Sequence, residues 1–477
     1  MNVVASLYDQ PAEKVAVILG DRQISYGDFR RDIDRAAEYL RAEGFGAESK
    51  IAIFTGPAQG RADYASWIAH LATMRIGAAH ASIHDRTTLE NLRPLMGFDA
   101  LVGTLPKSAE ADGLRVVPFD LEAMAFVDGS ADAEDKAARL NATSGTTGKP
   151  KAIRWDSAMI AARVDQVADI DLIDSSTILH SMLAPRTTAG FRYPIATWRA
   201  GGTVILSNTV RAADGTITAL GATVLICSPY QLSNMGKKRA WPNRDKRTIV
   251  ALGGRLPRGV RDWALRQVAG KIIVCYGSTE AGNVAFGDAM LIDRHPGAVG
   301  HVRDGVEIEI VGPDGGKLTA GEAGSIKIRT TVMADQDGSG DRERWFEPGD
   351  RAILFPDGVL AIAGRSTDVL NFGGMKLSAV DIETKLMASG VIDDVALVTI
   401  PGQYSDLPSM AIVAKPGFER ERLIGDVRGH LPKGVRCSLV LVPAIPRNEM
   451  GKIDRPRLAR QLGARLRRQP NRTQVNA

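Results

Sequence analysis

An α/β fold with mixed sheets, followed by a smaller α+β unit, is predicted by three patterns in this chain of 477 residues. Short apolar runs at 51–54, 203–206, 223–226, 248–252 and 272–274 recur between helical stretches, the pattern of buried parallel strands flanked by helices. From Val306 the pattern changes: Val306, Ile308 and Ile310 alternate with Glu307 and Glu309, and 325–329 behaves likewise, as in a half-exposed antiparallel sheet. Beyond Gly364 a further set begins, with a helix at 379–387 and strands at 395–400, 410–414 and 438–441.

The first helix is predicted over 25–40. Ser25 can cap it, Phe29, Ile33, Ala37 and Leu40 share one face, and Gly44 stops it. At 44% hydrophobic and 24% charged residues, the composition is that of a soluble globular chain long enough for two or more domains. No apolar stretch reaches membrane-spanning length and no signal peptide opens the chain, so a cytoplasmic protein without a membrane span is expected. Cys227, Cys275 and Cys437 lie too far apart to suggest zinc or disulfides. The net charge of +5 does not imply nucleic acid. From Arg447 onward eight Arg and one Lys face only Glu449 and Asp454, which makes the basicity a property of the C-terminus, read as a solvated or frayed tail over 465–477. No aromatic interleaving supports a nucleic-acid interface.

The most chemically specific run is Thr143-Ser144-Gly145-Thr146-Thr147-Gly148-Lys149-Pro150-Lys151. Its glycines let successive N–H groups converge on an anion, its hydroxyls add donors, and Lys149 and Lys151 supply compact positive charge. Only two residues separate Gly145 from Gly148 and Pro150 follows Lys149, so the run is not the phosphate loop of P-loop NTPases. Glu280 is a plausible hard-oxygen ligand for Mg²⁺, although an acid after Ser278-Thr279 is more often first-turn decoration of a helix. Asp350, in the turn Glu347-Pro348-Gly349-Asp350, has no obvious structural partner. A lone Lys452 in a basic stretch is ordinarily a solvated charge.

Four runs in order resemble the signatures of the adenylate-forming superfamily, which includes acyl-CoA and aryl-CoA synthetases: 143–151; Tyr276-Gly277-Ser278-Thr279-Glu280; Trp345-Phe346-Glu347-Pro348-Gly349-Asp350 with Gly364-Arg365 through Glu383; and Pro446-Arg447-Asn448-Glu449-Met450-Gly451-Lys452-Ile453. The resemblance covers nearly the whole chain. It implies a large multi-subdomain N-terminal core over 1–365, a hinge at 366–368, a small mobile C-terminal domain over 369–464 and the basic tail. It also implies ATP, Mg²⁺ and CoA (or the phosphopantetheine of a carrier protein) as cofactors. The activity implied is formation of an acyl adenylate from a carboxylic acid, then of a thioester with CoA. The alternative is a stand-alone adenylating enzyme that passes the acyl group to a carrier-protein thiol or another nucleophile.

Residue by residue, the resemblance gives the β- and γ-phosphates to 143–151, the α-phosphate to Thr279 and Mg²⁺ to Glu280. Adenine goes to Tyr276 beside Gly277 and the ribose to Asp350, with Arg365 as a second ribose or phosphate contact. Lys452 is the cation of the first half-reaction. Gly373 and Gly374 line a thiol channel, and Thr367 with Asp368 stands at the hinge, where relatives carry Asp or Lys. The acid pocket is lined by the segment after Pro185, including Arg186, Thr188 and Gly190, by the turn Gly253-Gly254, and by residues beyond Glu280. No Asp lies in the first of these, which disfavours an amino acid, and Thr188 stands where many relatives have His. Arg186 or Arg192 is a candidate partner for a second substrate carboxylate, with an outward-facing solvated Arg as the simpler expectation for each. The partner expectations are the acid and CoA or an acyl carrier protein, with a homodimer left open.

Overall fold

The computed structural model describes residues 2–54, 64–103, 113–125, 135–144, 150–168, 172–206, 221–235, 241, 243–334, 344–365, 369–372, 375–387, 391–400, 407–431, 436–448, 451–468 and 473–476. The first helix, Tyr26–Ala42, starts as expected, with Ser25 Oγ accepting from the Asp28 amide at 3.1 Å. Phe29, Ile33, Ala36, Ala37 and Leu40 are buried. Phe29 meets Trp198 with ring centroids 4.9 Å apart, and Trp198 meets Trp67 edge-on at 5.1 Å. This aromatic knot joins helices Tyr26–Ala42, Tyr64–Arg75 and Thr188–Arg199 into one core.

Among the described residues, two sheets dominate the body. One runs in the order Arg115–Val117, Ala100–Val102, Lys50–Phe54, Ala79–Ile83, Ala138–Ser144, Pro150–Trp155, parallel except for the last pair. The second has thirteen strands. Its centre is parallel, in the order Val15–Leu19, Thr203–Ile205, Ile178–Ser181, Val224–Cys227, Thr248–Leu252, Lys271–Ser278. The remaining strands are antiparallel, from Gly282–Asp288 through Ala298–Val302 and Val359–Arg365 to Val306–Val311 at the edge. The alternating segments read from Val306 onward therefore continue the main sheet rather than forming one of their own. The change from parallel to antiparallel falls at the hairpin that carries Thr279 and Glu280. Thr279 and Glu280 therefore stand at the carboxyl end of the last parallel strand, Lys271–Ser278.

The C-terminal unit has separate cores. A sheet ordered Ile392–Ile400, Leu407–Ala414, Arg436–Leu441, Thr473–Asn476 is covered on both faces. Leu397 and Met410 pack with Ile382, Leu386, Leu423 and Val427 on one side. Val398 and Ile400 pack with Leu458 and Leu462 on the other, as the two-residue period of a strand requires. The expected frayed tail is a correction. Helix Arg455–Arg468 extends through Arg465, which donates to the Leu441 carbonyl at 3.0 Å, and Thr473–Asn476 pairs antiparallel along Arg436–Leu441. An apolar stripe on the helix and an open sheet edge order this end despite its charge. Among the described residues no helix is long and apolar enough to cross a membrane.

Candidate active site

The strands Ala138–Ser144 and Pro150–Trp155 form an antiparallel hairpin in which Thr143 faces Lys151 and Ser144 faces Pro150. Gly145, Thr146, Thr147, Gly148 and Lys149 span its tip and lie outside the described residues, as do Thr367 and Asp368 at the expected hinge and Gly373 and Gly374 of the expected thiol channel. Lys151 is exposed. At the other end of the hairpin Trp155 is fully buried, and its indole N–H donates to the Thr279 carbonyl at 3.2 Å. This bond ties the hairpin of Ala138–Ser144 and Pro150–Trp155 to the second motif.

That second motif is a strand end and a tight turn, not a helix start. Ser278 Oγ accepts from the Ala281 amide at 2.9 Å, and Gly282 opens the returning strand. The helix-capping reading of Ser278-Thr279-Glu280 is therefore corrected. The Glu280 carbonyl is held by Arg163 Nη2 at 2.7 Å and by the Ala334 amide at 2.9 Å, while its half-buried carboxylate makes no hydrogen bond or ion pair among the described residues. A pinned backbone with an uncommitted carboxylate fits Mg²⁺, which takes one or two protein carboxylates and completes its shell with phosphate and water. Two glycines permit the turn. A Cβ on Gly277 would lie 2.0 Å from the Gly282 carbonyl oxygen, and one on Gly282, at φ +79°, would lie 1.4 Å from Arg163 Nη1.

Asp350 opens its strand almost buried, and the structure supplies the partners that the sequence did not reveal. Tyr276 Oη donates to Oδ2 at 2.7 Å, and Arg365 Nε donates to Oδ1 at 3.0 Å. Burial, and after it the Asp350 carboxylate, pushes the Tyr276 phenol well above its ordinary value, so the proton stays on tyrosine. Tyr276, Asp350 and Arg365, predicted from two separate motifs, thus form one hydrogen-bonded cluster.

The segment after Pro185 differs from expectation. Thr187 caps helix Thr188–Arg199, accepting from the Gly190 amide at 3.0 Å, so Thr188 is the helix's first residue. Gly190 has a packing reason for lacking a side chain: its Cβ would lie 2.1 Å from the Ala184 carbonyl oxygen. Neither arginine faces outward. Arg186 is largely buried and its pKa falls to about 10 through burial, with Asp85 working against that fall. Arg192 is 5% exposed and donates to the Thr188 carbonyl (3.2 Å), the Arg163 carbonyl (3.4 Å) and Asn283 Oδ1 (3.0 Å). Pattern reading missed Arg163 and Asn283. Arg163 lies three residues after Ile160 and four before Val167 on one buried face, a spacing that would have flagged it.

Lys452 is exposed on a tight loop. The Asn448 amide donates to the Lys452 carbonyl at 2.8 Å, and the Lys452 amide donates to Asn448 Oδ1 at 3.0 Å. Arg447 braces the loop by donating to the Gly451 carbonyl at 2.8 Å and to Asp394 at 2.5 Å, and its guanidinium lies 4.7 Å from the centroid of the Tyr230 ring. Gly451, at φ +73°, sits so close that a Cβ there would be 2.3 Å from Tyr230 Cβ. Tyr230 belongs to the body, next to Pro229, which lies 3.8 Å from where a Cβ on Gly254 would be. The loop that carries Lys452 is thus seated on the body beside the turn Gly253-Gly254.

Comparison with known proteins agrees with this architecture. A family model described as AMP-binding enzyme matches residues 5–335. The chain is similar to an acetyl-coenzyme A synthetase of Pyrobaculum arsenaticum, 26% identical over 358 residues that cover 66% of this chain and 52% of that protein. The match thus spans about half the length of this relative. An indoleacetate–CoA ligase of Aromatoleum aromaticum is 25% identical over 516 residues, covering 95% of this chain and 96% of that protein. Among solved structures, ATP-bound MatB from Rhodopseudomonas palustris superposes with a TM-score of 0.81 at 21% identity, covering 97% of this chain and 99% of that one, a likeness of fold.

Proposed function

The chain belongs to the AMP-binding enzyme family, and from that premise we propose that it is an AMP-forming acid–CoA ligase. In this reading ATP activates a carboxylic acid to an acyl adenylate, and CoA converts the adenylate to a thioester. The observation that carries the reading is the convergence of three motifs distant in sequence. The Tyr276–Asp350–Arg365 cluster, the Thr279–Glu280 turn and the loop bearing Lys452 meet along the carboxyl ends of the parallel strands.

Two anions, the acid and the α-phosphate, must approach each other while pyrophosphate leaves, so positioning and positive charge dominate the catalysis. Asp350 offers acceptor oxygens to the ribose hydroxyls once Tyr276 or Arg365 yields one, and the ring of Tyr276 offers a face to adenine. Thr279 stands one residue from Glu280, where the α-phosphate must lie. Glu280 is the residue that would hold Mg²⁺, which when bound would supply Lewis-acid neutralisation of the polyphosphate. Lys452 brings a compact cation to the carboxylate and α-phosphate when its loop sits on Tyr230. The hairpin 143–151 holds the β- and γ-phosphates.

The test is acid-dependent exchange between ATP and pyrophosphate, followed by AMP release with and without CoA. Exchange with every acid absent or ineffective refutes adenylation. Exchange without CoA-dependent turnover moves the acceptor from CoA to a carrier-protein thiol.

A further inference from the structure

Arg163, Arg192 and Asn283 form a polar cluster inside the body to which the ligase reading assigns no role. Arg163 is fully buried on helix Ser157–Ala168, Arg192 is 5% exposed on helix Thr188–Arg199, and Asn283 is 5% exposed on the strand that follows the Glu280 turn. Every partner they have is neutral: the carbonyls of Glu280, Thr188 and Arg163, and Asn283 Oδ1. Arg163 Nε and Nη1 and Asn283 Nδ2 are buried with no hydrogen-bond partner. Burial pulls both guanidinium pKa values down; the charges of Arg192 and Arg303 lower that of Arg163 further while the Glu280 carboxylate works against them, and Arg303 lowers that of Arg192 while Tyr193 and Cys275 work against it.

The unmet need of this cluster has one sign. All the unused groups are donors, and among the described residues no carboxylate hydrogen-bonds to either cation, the Glu280 carboxylate acting on Arg163 only from a distance. Water satisfies donors but does not offset net charge, and an unpaired buried charge costs several kcal/mol. An anion with two acceptor oxygens supplies what is missing, and planar guanidinium groups match a carboxylate's geometry. The cluster also lies against the Glu280 turn. Arg163 holds the carbonyl of Glu280, and Asn283 follows Glu280 by three residues, a distance of at most about 11 Å along the chain.

We propose that the acid activated by this protein carries a second carboxylate, and that Arg192, Arg163 and Asn283 bind it while the first carboxylate is adenylated. The proposal rests on the ligase reading and narrows its substrate class to compact dicarboxylic acids. Gly282 is part of the device, since only the absence of a side chain there gives the Arg163 guanidinium its place.

The test is acid-dependent ATP–pyrophosphate exchange with matched pairs: succinate against butyrate, glutarate against valerate, phthalate against benzoate. The best diacid is expected to exceed its partner in kcat/KM by on the order of a hundredfold, the scale of one buried charge pair. Arg192→Met should abolish that preference while leaving monoacid turnover unchanged or improved, and Arg192→Lys should restore part of it. A purely structural role for Arg192 predicts equal losses on both members of each pair, and that result overturns the proposal, as does a wild-type preference for monoacids. Should Arg192→Met fail to fold, Asn283→Ala, which keeps both charges, is expected to lower diacid kcat/KM selectively by about tenfold. Exchange with no acid of either kind refutes the ligase reading itself, a result distinct from exchange without diacid preference.

Discussion

The body and the C-terminal unit bury charge to different extents. The body buries several charges: Asp350, Arg163, Arg192 and Arg139 all sit at 8% exposure or less, each tied by hydrogen bonds to at least one other element. The C-terminal unit buries apolar residues on both faces of its sheet and, among the described residues, the single charge of Glu383, and uses ion pairs as braces between elements. Arg455 holds Glu383 at 2.7 Å, and Arg447 holds Asp394 at 2.5 Å. The candidate for its one chemical contribution, Lys452, stays exposed at the end of a braced loop. A buried polar group is preorganised but cannot travel, whereas an exposed one on a rigid loop costs the fold little and can be delivered or withdrawn. In the proposed ligase, recognition would therefore belong to the body and timing to the unit that docks on it.

The largest effect expected from this division is on Lys452. Lys452→Ala removes a cation without disturbing a core, so adenylation should fall by roughly two to four orders of magnitude while the melting temperature stays within experimental error. Thioester formation from a supplied acyl adenylate should be nearly intact. Pyrophosphate exchange, a thermal melt and a single-turnover thiolation assay decide this. Equal losses in both half-reactions would break the assignment of timing to the C-terminal unit. Asp350→Ala should behave in the opposite way. It deletes a buried carboxylate that Tyr276 and Arg365 both use, so AMP affinity should fall by about a hundredfold and stability should fall with it. A variant that loses affinity but melts like the parent would show that Asp350 is less integral to the body than its hydrogen bonds imply.

A smaller effect is expected where the two regions touch. Gly451→Ala puts a methyl group against Tyr230 at a backbone conformation unsuited to L-residues, so the loop must lift away from the body. Adenylation should drop about tenfold, with Tyr230→Ala in the same chain recovering part of it by making room. No recovery in the double variant would place the defect in the loop itself rather than at the contact.

How much of this was legible in the sequence follows the same division. The strands, the first helix and the helix at 379–387 were readable because apolar periodicity reports directly on packing. Motif order identified Tyr276, Asp350 and Arg365, yet their mutual hydrogen bonds are long-range geometry that no local pattern encodes. Composition misled at two places. Arg192 read as solvated because Arg usually is, and the basic end read as frayed because charge usually marks a tail. In both cases a three-dimensional context, a helix face turned inward and an unpaired sheet edge, overrode the residue-type expectation. Arg163 was missed although its helical spacing pointed inward.

Acidification provides the mildest test of the contrast. His70, His80 and His180 are buried in the body, and burial holds all three neutral: His70 and His80 well below the ordinary value, His180 at about 4. Arg139 adds to the effect at the first two, and His80 at His70. The unfolded chain binds these protons near pH 6.5 and the folded body does not, so stability is intact above that value. It declines as pH falls below it, until the folded pKa of each histidine is reached. Between pH 7.5 and 6.5 the three together should cost the body about 1 kcal/mol, rising to about 4 kcal/mol per further pH unit in the steep range. The C-terminal unit contains one histidine, His430, which is half-buried on helix Arg420–His430, and no fully buried one. Hydrogen exchange at the two pH values, corrected for intrinsic rates, should therefore show protection falling in helix Tyr64–Arg75 and holding in helix Ala379–Met387. Equal loss of protection in both helices would mean that the two regions unfold as one, and that the contact at Tyr230 couples them more tightly than a docking surface.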